Sequence, residues 1–524
     1  MTPLDLVALL PLIVLAAGSV AEILIVAFRR SHAVAAASAA ISLLLALATL
    51  PVVASGDVPH RVTSLLILDH YALFYMGLVF AAGLVVVAIS YGYFEKHDAE
   101  REEFYPLLLL ATIGSAVLVA AGHFAAFFLG LEILTVSLYA LIAYLRDLER
   151  CVEAGVKYLI LAAASSAFLL FGMALIYAET GTMEFARVAE AAHANPRNIL
   201  MSAGLAMIVV GVGFKLALAP FHMWIPDVYE GAPAPVTAFI ATVSKSAVFA
   251  VVLRYFSLFD ARAHSAGAYL PVFLLFAVTA TASMFVGNLL ALMQRNVKRL
   301  LAYSSIAHFG YVTVAFLAGG RAAAVAVTFY LVAYTLTTLA AFGVVSVLST
   351  RDRDADDIDD YRGLAWRRPW TAGVLTAALL SLAGIPLTAG FIGKFVVLAA
   401  GIGSALWFLA IVLVVNSAIG LFYYLRVIVA VYALPAKREV VGAEAQGLPP
   451  VRSAAEQTTD RPVPLCVLAD VGPRAPTPAA PGSPPSLSLV GSAALAILTL
   501  LVLWIGVYPG PLLDLIRRMV GGIS

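Results

Sequence analysis

Apolar residues in this chain gather into runs of about twenty, the length that carries an α-helix across the hydrocarbon core of a bilayer. Fourteen such runs begin near Leu4, Ala33, Tyr71, Tyr105, Phe124, Val152, Ile199, Val236, Tyr269, Leu300, Ala322, Trp370, Ile402 and Leu487, most of them joined by short polar turns. The pattern predicts an all-α integral membrane protein of about 14 transmembrane helices. Only Met1 to Asp5, with no basic residue, precede the core of the first run, which ends at Arg29 and Arg30. That reads as an uncleaved first span and not as a secretory signal.

Two runs are interrupted. The seventh passes into Leu218-Ala219-Pro220-Phe221-His222-Met223-Trp224-Ile225-Pro226, and the twelfth contains Leu382-Ala383-Gly384-Ile385-Pro386-Leu387-Thr388-Ala389-Gly390. Proline removes a donor and clashes with the preceding turn, and carbonyls freed inside a bilayer must find protein, water or a cavity. Grouping spans 4–8 and 9–13 places each broken helix fourth in a five-span unit, which predicts two inverted five-helix repeats with a site near the midplane. The expected organisation is residues 1–104 for spans 1–3, 105–256 for the first repeat, 269–433 for the second, 434–486 as a Pro/Ala-rich insertion and 487–524 as the final span and tail. The insertion cannot bury enough apolar area to fold and is expected to be flexible.

The chain is 62% hydrophobic and 12% charged over 524 residues, with a mean hydropathy of +0.97. Soluble domains carry about 25% charge, so an ordinary soluble enzyme is excluded. The net charge of +1 suggests no nucleic acid or other polyanionic partner. Odd-numbered loops hold 19 Lys and Arg against 8 in the even loops and termini, so the positive-inside rule puts both termini on the outer side. The eleventh loop, Arg351 to Pro369, is dense in both charges and reads first as a solvated hairpin, second as a docking surface. Cys151 and Cys466 lack metal-ligand spacing, so neither a disulfide framework nor a metal site is expected, and no nucleotide or haem motif is present.

Against this background four of the seven lysines lie inside apolar runs: Lys157, Lys215, Lys245 and Lys394. A charge there costs about 2.5–3.5 kcal/mol on insertion scales, so such groups mark ion or proton pathways. Glu132 joins them about nine residues into its run, roughly 13 Å deep, too far for a short carboxylate to reach the interface. Lys215, one turn before the first break, is its natural partner. An amine that alternates between a paired, charged state and an unpaired, neutral one can take up and release a proton. Lys245 is flanked by Ser244 and Ser246, whose hydroxyls can hold water beside an amine, and Lys394 follows the second break among apolar neighbours. Lys157 is the weakest member, since its long stem can snorkel to the interface. His308, suited to shuttling protons near neutrality, is placed to bridge Lys245 and Lys394. His222, with Asp227, is a candidate channel-mouth group. Glu22, near the inner end of the first span, reads as structural.

Three stretches resemble one family closely. They run from Gly122-His123-Phe124 through Leu129-Gly130-Leu131-Glu132 to Leu141, from Phe214-Lys215 through Pro220-Phe221-His222-Met223-Trp224 to Pro233, and from Val297-Lys298-Arg299 through Ser304-Ser305-Ile306-Ala307-His308 to Tyr311. Together they resemble the antiporter-like membrane subunits of complex I, and the likeness spans the second to fourteenth runs. Lys394 and the Asp359-Asp360-Tyr361-Arg362-Gly363-Leu364 wording favour one bacterial branch over a sister branch known for glutamate at the former position.

The resemblance implies a proton-translocating subunit of a bacterial inner-membrane NADH:quinone oxidoreductase, with Glu132 pairing Lys215 and Lys245 relaying to Lys394. It implies that the chain itself binds no cofactor. Quinone, NADH, flavin and iron–sulfur clusters would be used by other subunits. Partners would be neighbouring antiporter-like and small membrane subunits, the lipid bilayer and, indirectly, a peripheral redox arm. A subunit of a multi-subunit cation/proton antiporter shares the same constellation, and a purely structural membrane scaffold would tolerate neutral residues at all four lysines.

Overall fold

The computed structural model describes residues 2–56, 58–97, 101–195, 198–260, 270–434 and 489–521. The insertion expected at 434–486, Leu434 apart, and Cys466 lie outside the described residues. Twelve described helices are long and apolar enough to cross a membrane. In chain order the helices used below are α1 (Leu10–Phe28), α2 (His32–Ala54), α3 (His70–Phe94), α4 (Phe104–Ala120), α5 (Phe124–Ile142), α6 (Glu149–Thr180), α7 (Ile199–Leu216), α8 (Ile225–Gly231), α9 (Ala234–Phe259), α10 (Pro271–Leu292), α11 (Val297–Ala318), α12 (Gly320–Leu348), α13 (Pro369–Ala383), α14 (Ala389–Gly403), α15 (Trp407–Tyr432), α16 (Leu489–Val507) and α17 (Gly510–Val520). A small antiparallel hairpin, His60–Val62 against Leu66–Leu68, connects α2 to α3.

These segments are helical because, without water, each backbone N–H and C=O must be satisfied within its own segment. The helices pack by matching small residues. A Cβ on Gly114 of α4 would fall 2.8 Å from the Gly130 carbonyl of α5, so only glycine permits that approach. The outer helices α1 and α2 show apolar side chains such as Leu24, Ile41, Leu44 and Leu45 to the surroundings, whereas α9 is buried from Ala234 to Phe256.

Both interruptions form where the sequence places them. Helix α7 stops at Ala217, which adopts a left-handed φ of 59°. The loose ends are then collected: Leu218 N–H donates to the Gly213 carbonyl at 2.8 Å, Trp224 Nε1 donates to the Phe214 carbonyl at 2.9 Å, and Ala219 N–H donates to Ser283 Oγ of α10 at 2.8 Å. The second break separates α13 from α14. Gly384 takes φ 83°, its N–H bonds the Leu380 carbonyl at 3.0 Å, and Gly390 N–H donates to Ser381 Oγ at 3.1 Å. Helix α9 carries a third irregularity, a π-helical turn at Ile240–Ser244 immediately before Lys245.

The eleventh loop is no loose hairpin. Asp357 and Asp360 form a capping box, Tyr361 is buried with its hydroxyl on the Ala355 carbonyl at 2.6 Å, and Ile358 N–H reaches back to the Arg295 carbonyl at 3.1 Å. The cause is Lys298, fully buried in the first turn of α11. Its amine donates to Asp354 Oδ2 at 2.6 Å and to the Glu230 and Ala232 carbonyls at 2.9 and 2.6 Å.

Candidate functional site

Three of the four lysines are brought into the interior. Lys215 is the penultimate residue of α7 and is 5% exposed. Its Nζ donates to Thr135 Oγ1 of α5 at 2.6 Å and stands 5.6 Å from the ring centre of Tyr158. Glu132 lies on α5 one turn before Thr135, half-buried beside the exposed Leu129, Ile133 and Val136, and its Oε1 accepts from Ser166 Oγ of α6 at 2.6 Å. The expected direct contact between Glu132 and Lys215 is replaced by a hydroxyl for each. Residues three apart on a helix are about 5–6 Å apart at Cβ, so with the amine on Thr135 the two charges are neighbours within electrostatic reach without touching.

Lys245 is wholly buried. Its amine donates to Ser305 Oγ of α11 at 2.6 Å, a hydroxyl that also accepts from Tyr334 at 2.8 Å, and it stands 4.8 Å from the Phe309 ring centre and 5.6 Å from that of Tyr229. Among the described residues no carboxylate is paired with it. Between Lys215 and Lys245 the chain provides two tyrosines, Tyr158 against the first amine and Tyr229 against the second, and the buried Tyr229 hydroxyl has no partner within hydrogen-bond distance among the described residues, Ser305 standing nearby. Buried polar groups of that kind are where ordered water usually bridges.

One turn beyond Ser304 and Ser305, His308 is held on both ring nitrogens, Nδ1 by Tyr330 at 2.7 Å and Nε2 by Tyr424 of α15 at 3.1 Å. Tyr424 also meets Ser304, and the Tyr423 hydroxyl donates to Asn288 Oδ1 at 3.1 Å. Asn288 Nδ2 in turn bonds the Tyr311 hydroxyl at 2.9 Å, and the Tyr311 ring centre lies 5.4 Å from the amine of Lys394. Lys394 donates to Ser417 Oγ at 2.9 Å and to the Ala383 carbonyl at 2.8 Å. That carbonyl is among the last of α13, left unbonded by the break and lying at the negative end of the helix. The broken helix thus supplies the amine's second acceptor. A Cβ on Gly384 would fall 2.8 Å from Lys394 Cδ, so the left-handed glycine also makes room for the side chain.

The remaining candidates separate. Lys157 leaves the constellation: its amine sits at the rim, about two-fifths exposed, bonded to Glu153 at 2.7 Å and Asp227 at 2.8 Å. Asp227 is shared with Arg299 at 2.9 Å, which also holds Glu230 at 2.7 Å. His222 lies buried in the turn after α7, and its Nδ1 has no protein partner. Among the described residues no cluster of His, Cys, Asp or Glu has the arrangement of a metal site.

Sequence reading missed the neutral members of the file, Ser305, Tyr334, Tyr330, Tyr424, Asn288 and Tyr311, because single hydroxyl and amide residues are common in any membrane helix. It also gave no role to Arg254. The structure buries Arg254 in α9, where its guanidinium grips Asp69, the N-cap of α3, through two hydrogen bonds of 2.8 Å.

Comparison with known proteins gives this arrangement its relatives. Residues 121–420 match the family model described as NADH:quinone oxidoreductase/Mrp antiporter, TM. The chain is similar to NADH-quinone oxidoreductase subunit N from Ectopseudomonas mendocina (strain ymp), at 46% identity over 99% of this chain and 97% of the relative. It is 47% identical to the subunit of that name from Nitrosospira multiformis, with the same coverage. Among solved structures it resembles a chain of respiratory complex I from Thermus thermophilus with bound aureothin, at 31% identity and TM-score 0.74 over 96% of this chain and 98% of that one. A chain of the Mrp complex from Dietzia sp. DQ12-45-1b shares the fold at TM-score 0.80 and 22% identity, over all of this chain and 98% of that one. Relatives 46–47% identical along 99% of this chain, together with the family model, leave one assignment: the chain belongs to the subunit N family of NADH-quinone oxidoreductases, multi-pass membrane proteins of the NADH:quinone oxidoreductase/Mrp antiporter group.

Proposed function

We propose that this subunit moves protons through the file Glu132, Lys215, Lys245, His308 and Lys394, driven by quinone reduction elsewhere in a bacterial inner-membrane complex. In this reading the subunit has no redox role. NADH, flavin, iron–sulfur clusters and quinone belong to its partners, which are neighbouring membrane subunits and, indirectly, a peripheral arm. Both termini then face outward, as the basic residues argue. The observation that carries the reading is that, among the described residues, the buried amines of Lys245 and Lys394 meet only neutral partners. Without a fixed counter-ion neither is locked in its charged form, which is what a group that must both accept and release a proton requires.

The first step follows from the Glu132 and Lys215 geometry. Two unit charges at an effective dielectric of 20 interact by about 4 kcal/mol at 4 Å, and by more than about 2.3 kcal/mol out to roughly 7 Å. Moving a proton against 100 mV takes about 2.3 kcal/mol. Neutralising Glu132 therefore weakens the hold on the Lys215 proton by an amount comparable with the work of transport. The released proton passes Tyr158 and Tyr229 to Lys245, then along Ser305, His308 and the tyrosine–asparagine set to Lys394. Lys157 is left out of the path, since two carboxylates hold it charged at the rim.

A cation/proton antiporter role is the alternative. The likeness to the Dietzia Mrp chain supports the shared fold, and the identities of 46–47% with subunit N favour the oxidoreductase. The test replaces Lys215 or Glu132 with alanine in the assembled complex and counts protons moved per NADH oxidised. The stoichiometry is expected to fall. Undiminished stoichiometry with normal electron transfer would reject the proposal, and purification with flavin and iron–sulfur subunits separates the oxidoreductase from the antiporter.

A further inference from the structure

A second acid is buried far from the lysine file. Glu22 of α1 is 0% exposed, and the groups that meet it include Ser38 of α2 and Tyr105 of α4. Oε2 meets Ser38 Oγ of α2 in a short contact, while Oε1 is buried with no hydrogen-bond partner. One turn earlier on α1, Ser19 Oγ is likewise buried and unpartnered. Among the described residues no lysine or arginine pairs with Glu22.

The contact with Ser38 decides the protonation state of this acid. The Ser38 hydroxyl has one proton and three oxygens within reach: Glu22 Oε2, the Val34 carbonyl at 2.8 Å and the Ala35 carbonyl at 3.2 Å. If the proton goes to a carbonyl, as a helical serine commonly directs it, a carboxylate would face the serine lone pairs at close range. A carboxylic acid would instead donate into them. If the proton goes to Glu22, a carboxylate keeps its second oxygen bare in an apolar interior. An ionised oxygen left so is penalised far more heavily than a hydroxyl in the same place. Both arrangements favour the neutral acid.

The same helices provide a way out. Glu22 lies six residues before Phe28, about 9 Å from the end of α1. Tyr105, the second residue of α4, is buried and within electrostatic reach of Glu22. Its hydroxyl is 2.7 Å from Nε2 of His32, the first residue of α2, whose ring stacks on Tyr91 at 4.6 Å. His32 stands at the Arg29–Ser31 turn, near Arg101 and Glu102. Of the titratable groups on the helices packed against α1, Tyr105 of α4 faces Glu22, and His32 of α2 faces Tyr105.

We propose that Glu22 is a second proton-binding site of this chain, separate from the lysine file, which holds its proton as a carboxylic acid and exchanges it with the Arg29–Ser31 face by way of Tyr105 and His32. On release the Glu22 O–H bond breaks as its proton passes to the Tyr105 oxygen, the proton of the Tyr105 hydroxyl passes to His32 Nε2, and the imidazolium gives a proton to water; uptake is the reverse.

Infrared spectroscopy of the assembled complex in membranes tests this directly. At neutral pH the wild type should show a protonated-carboxyl C=O band that is missing in Glu22→Gln, and Ser38→Ala should keep that band at a shifted frequency. Identical carboxyl regions in wild type and Glu22→Gln would overturn the site. Should Glu22→Gln fail to assemble, the Ser38→Ala shift alone decides: no shift overturns the proposal. In deuterated buffer, Tyr105→Phe should slow exchange of the Glu22 proton by about tenfold or more. Unchanged exchange would overturn the route.

Discussion

Replacing Lys245 with methionine separates what the amine does for stability from what it does for transport. Methionine matches the lysine stem in length and shape, so packing in α9 is nearly conserved. The structure gives the wild-type ammonium one charge-assisted hydrogen bond, to Ser305, worth about 1.5–3 kcal/mol. It also gives a desolvated approach to the Phe309 ring at 4.8 Å, worth about 2 kcal/mol. Against these stands the burial of a charge with 0% exposure and no counter-ion, a penalty of several kcal/mol. The terms are of similar size and opposite sign, so Lys245→Met should leave assembly and thermal stability nearly unchanged. Ser305 retains a donor in Tyr334 at 2.8 Å and is not stranded. Transport is another matter. The thioether cannot carry a proton, and this removes the station between Lys215 and His308. Reconstituted into vesicles, the variant complex should oxidise NADH and reduce quinone while moving fewer protons per NADH, with passage through this subunit slowed at least tenfold, an added barrier of about 1.4 kcal/mol. Stoichiometry and not turnover is the readout. Full stoichiometry with normal electron transfer would refute the reasoning. A complex that fails to assemble would show that the charge balance was misjudged.

Gly384→Ala should injure the site through its backbone. A side chain at φ 83° costs about 1–2 kcal/mol, and its Cβ would press on Lys394 at 2.8 Å, so proton stoichiometry should fall in a complex that still assembles. Asp69→Asn keeps an N-cap for α3 but strands the buried Arg254 charge at a cost of about 3–5 kcal/mol. The expected lower thermal midpoint should be relieved when Arg254→Met is added, and a midpoint unchanged by the single substitution would refute the role of the pair. Lys96, beyond the end of α3, donates to the Val347 and Ser349 carbonyls, and burial, aided by the charge of Arg368, pushes its amine down to about 8. The folded value lies below the unfolded 10.5, so the unfolded chain binds more protons between about 8 and 10.5 and stability should rise with pH across that window. Thermal midpoints of wild type relative to Lys96→Met, compared near neutrality and above about pH 10, should reveal this gain; equal differences at both would refute it.

The spans and the amines were legible because both are written in local composition. A run of apolar residues has few options in a bilayer, and Lys215, Lys245 and Lys394 stand out by being the wrong chemistry inside one. Lys157 shows the limit of that signal. Its helix α6 has 32 residues, about 48 Å at 1.5 Å per residue, against a core of about 30 Å. A residue two turns into so long a helix therefore stays at the rim, where Glu153 and Asp227 meet it. Depth depends on where the helix begins, which hydropathy alone blurs. Arg254 and Lys298 fail in the opposite sense. Each stands near the edge of an apolar run and counts as loop by composition, but each is drawn inside by an acid distant in sequence, Asp69 or Asp354. The same reason hides the hydroxyl file. A tyrosine on α12 and another on α15 acquire meaning only when packing points them at one histidine. What composition could not carry, then, is pairing across the bundle. Pairing is also where the amines acquire their chemistry: the acceptors for Lys394 are a carbonyl released by a break in one helix and a serine on another, and neither is visible from the lysine's own neighbours.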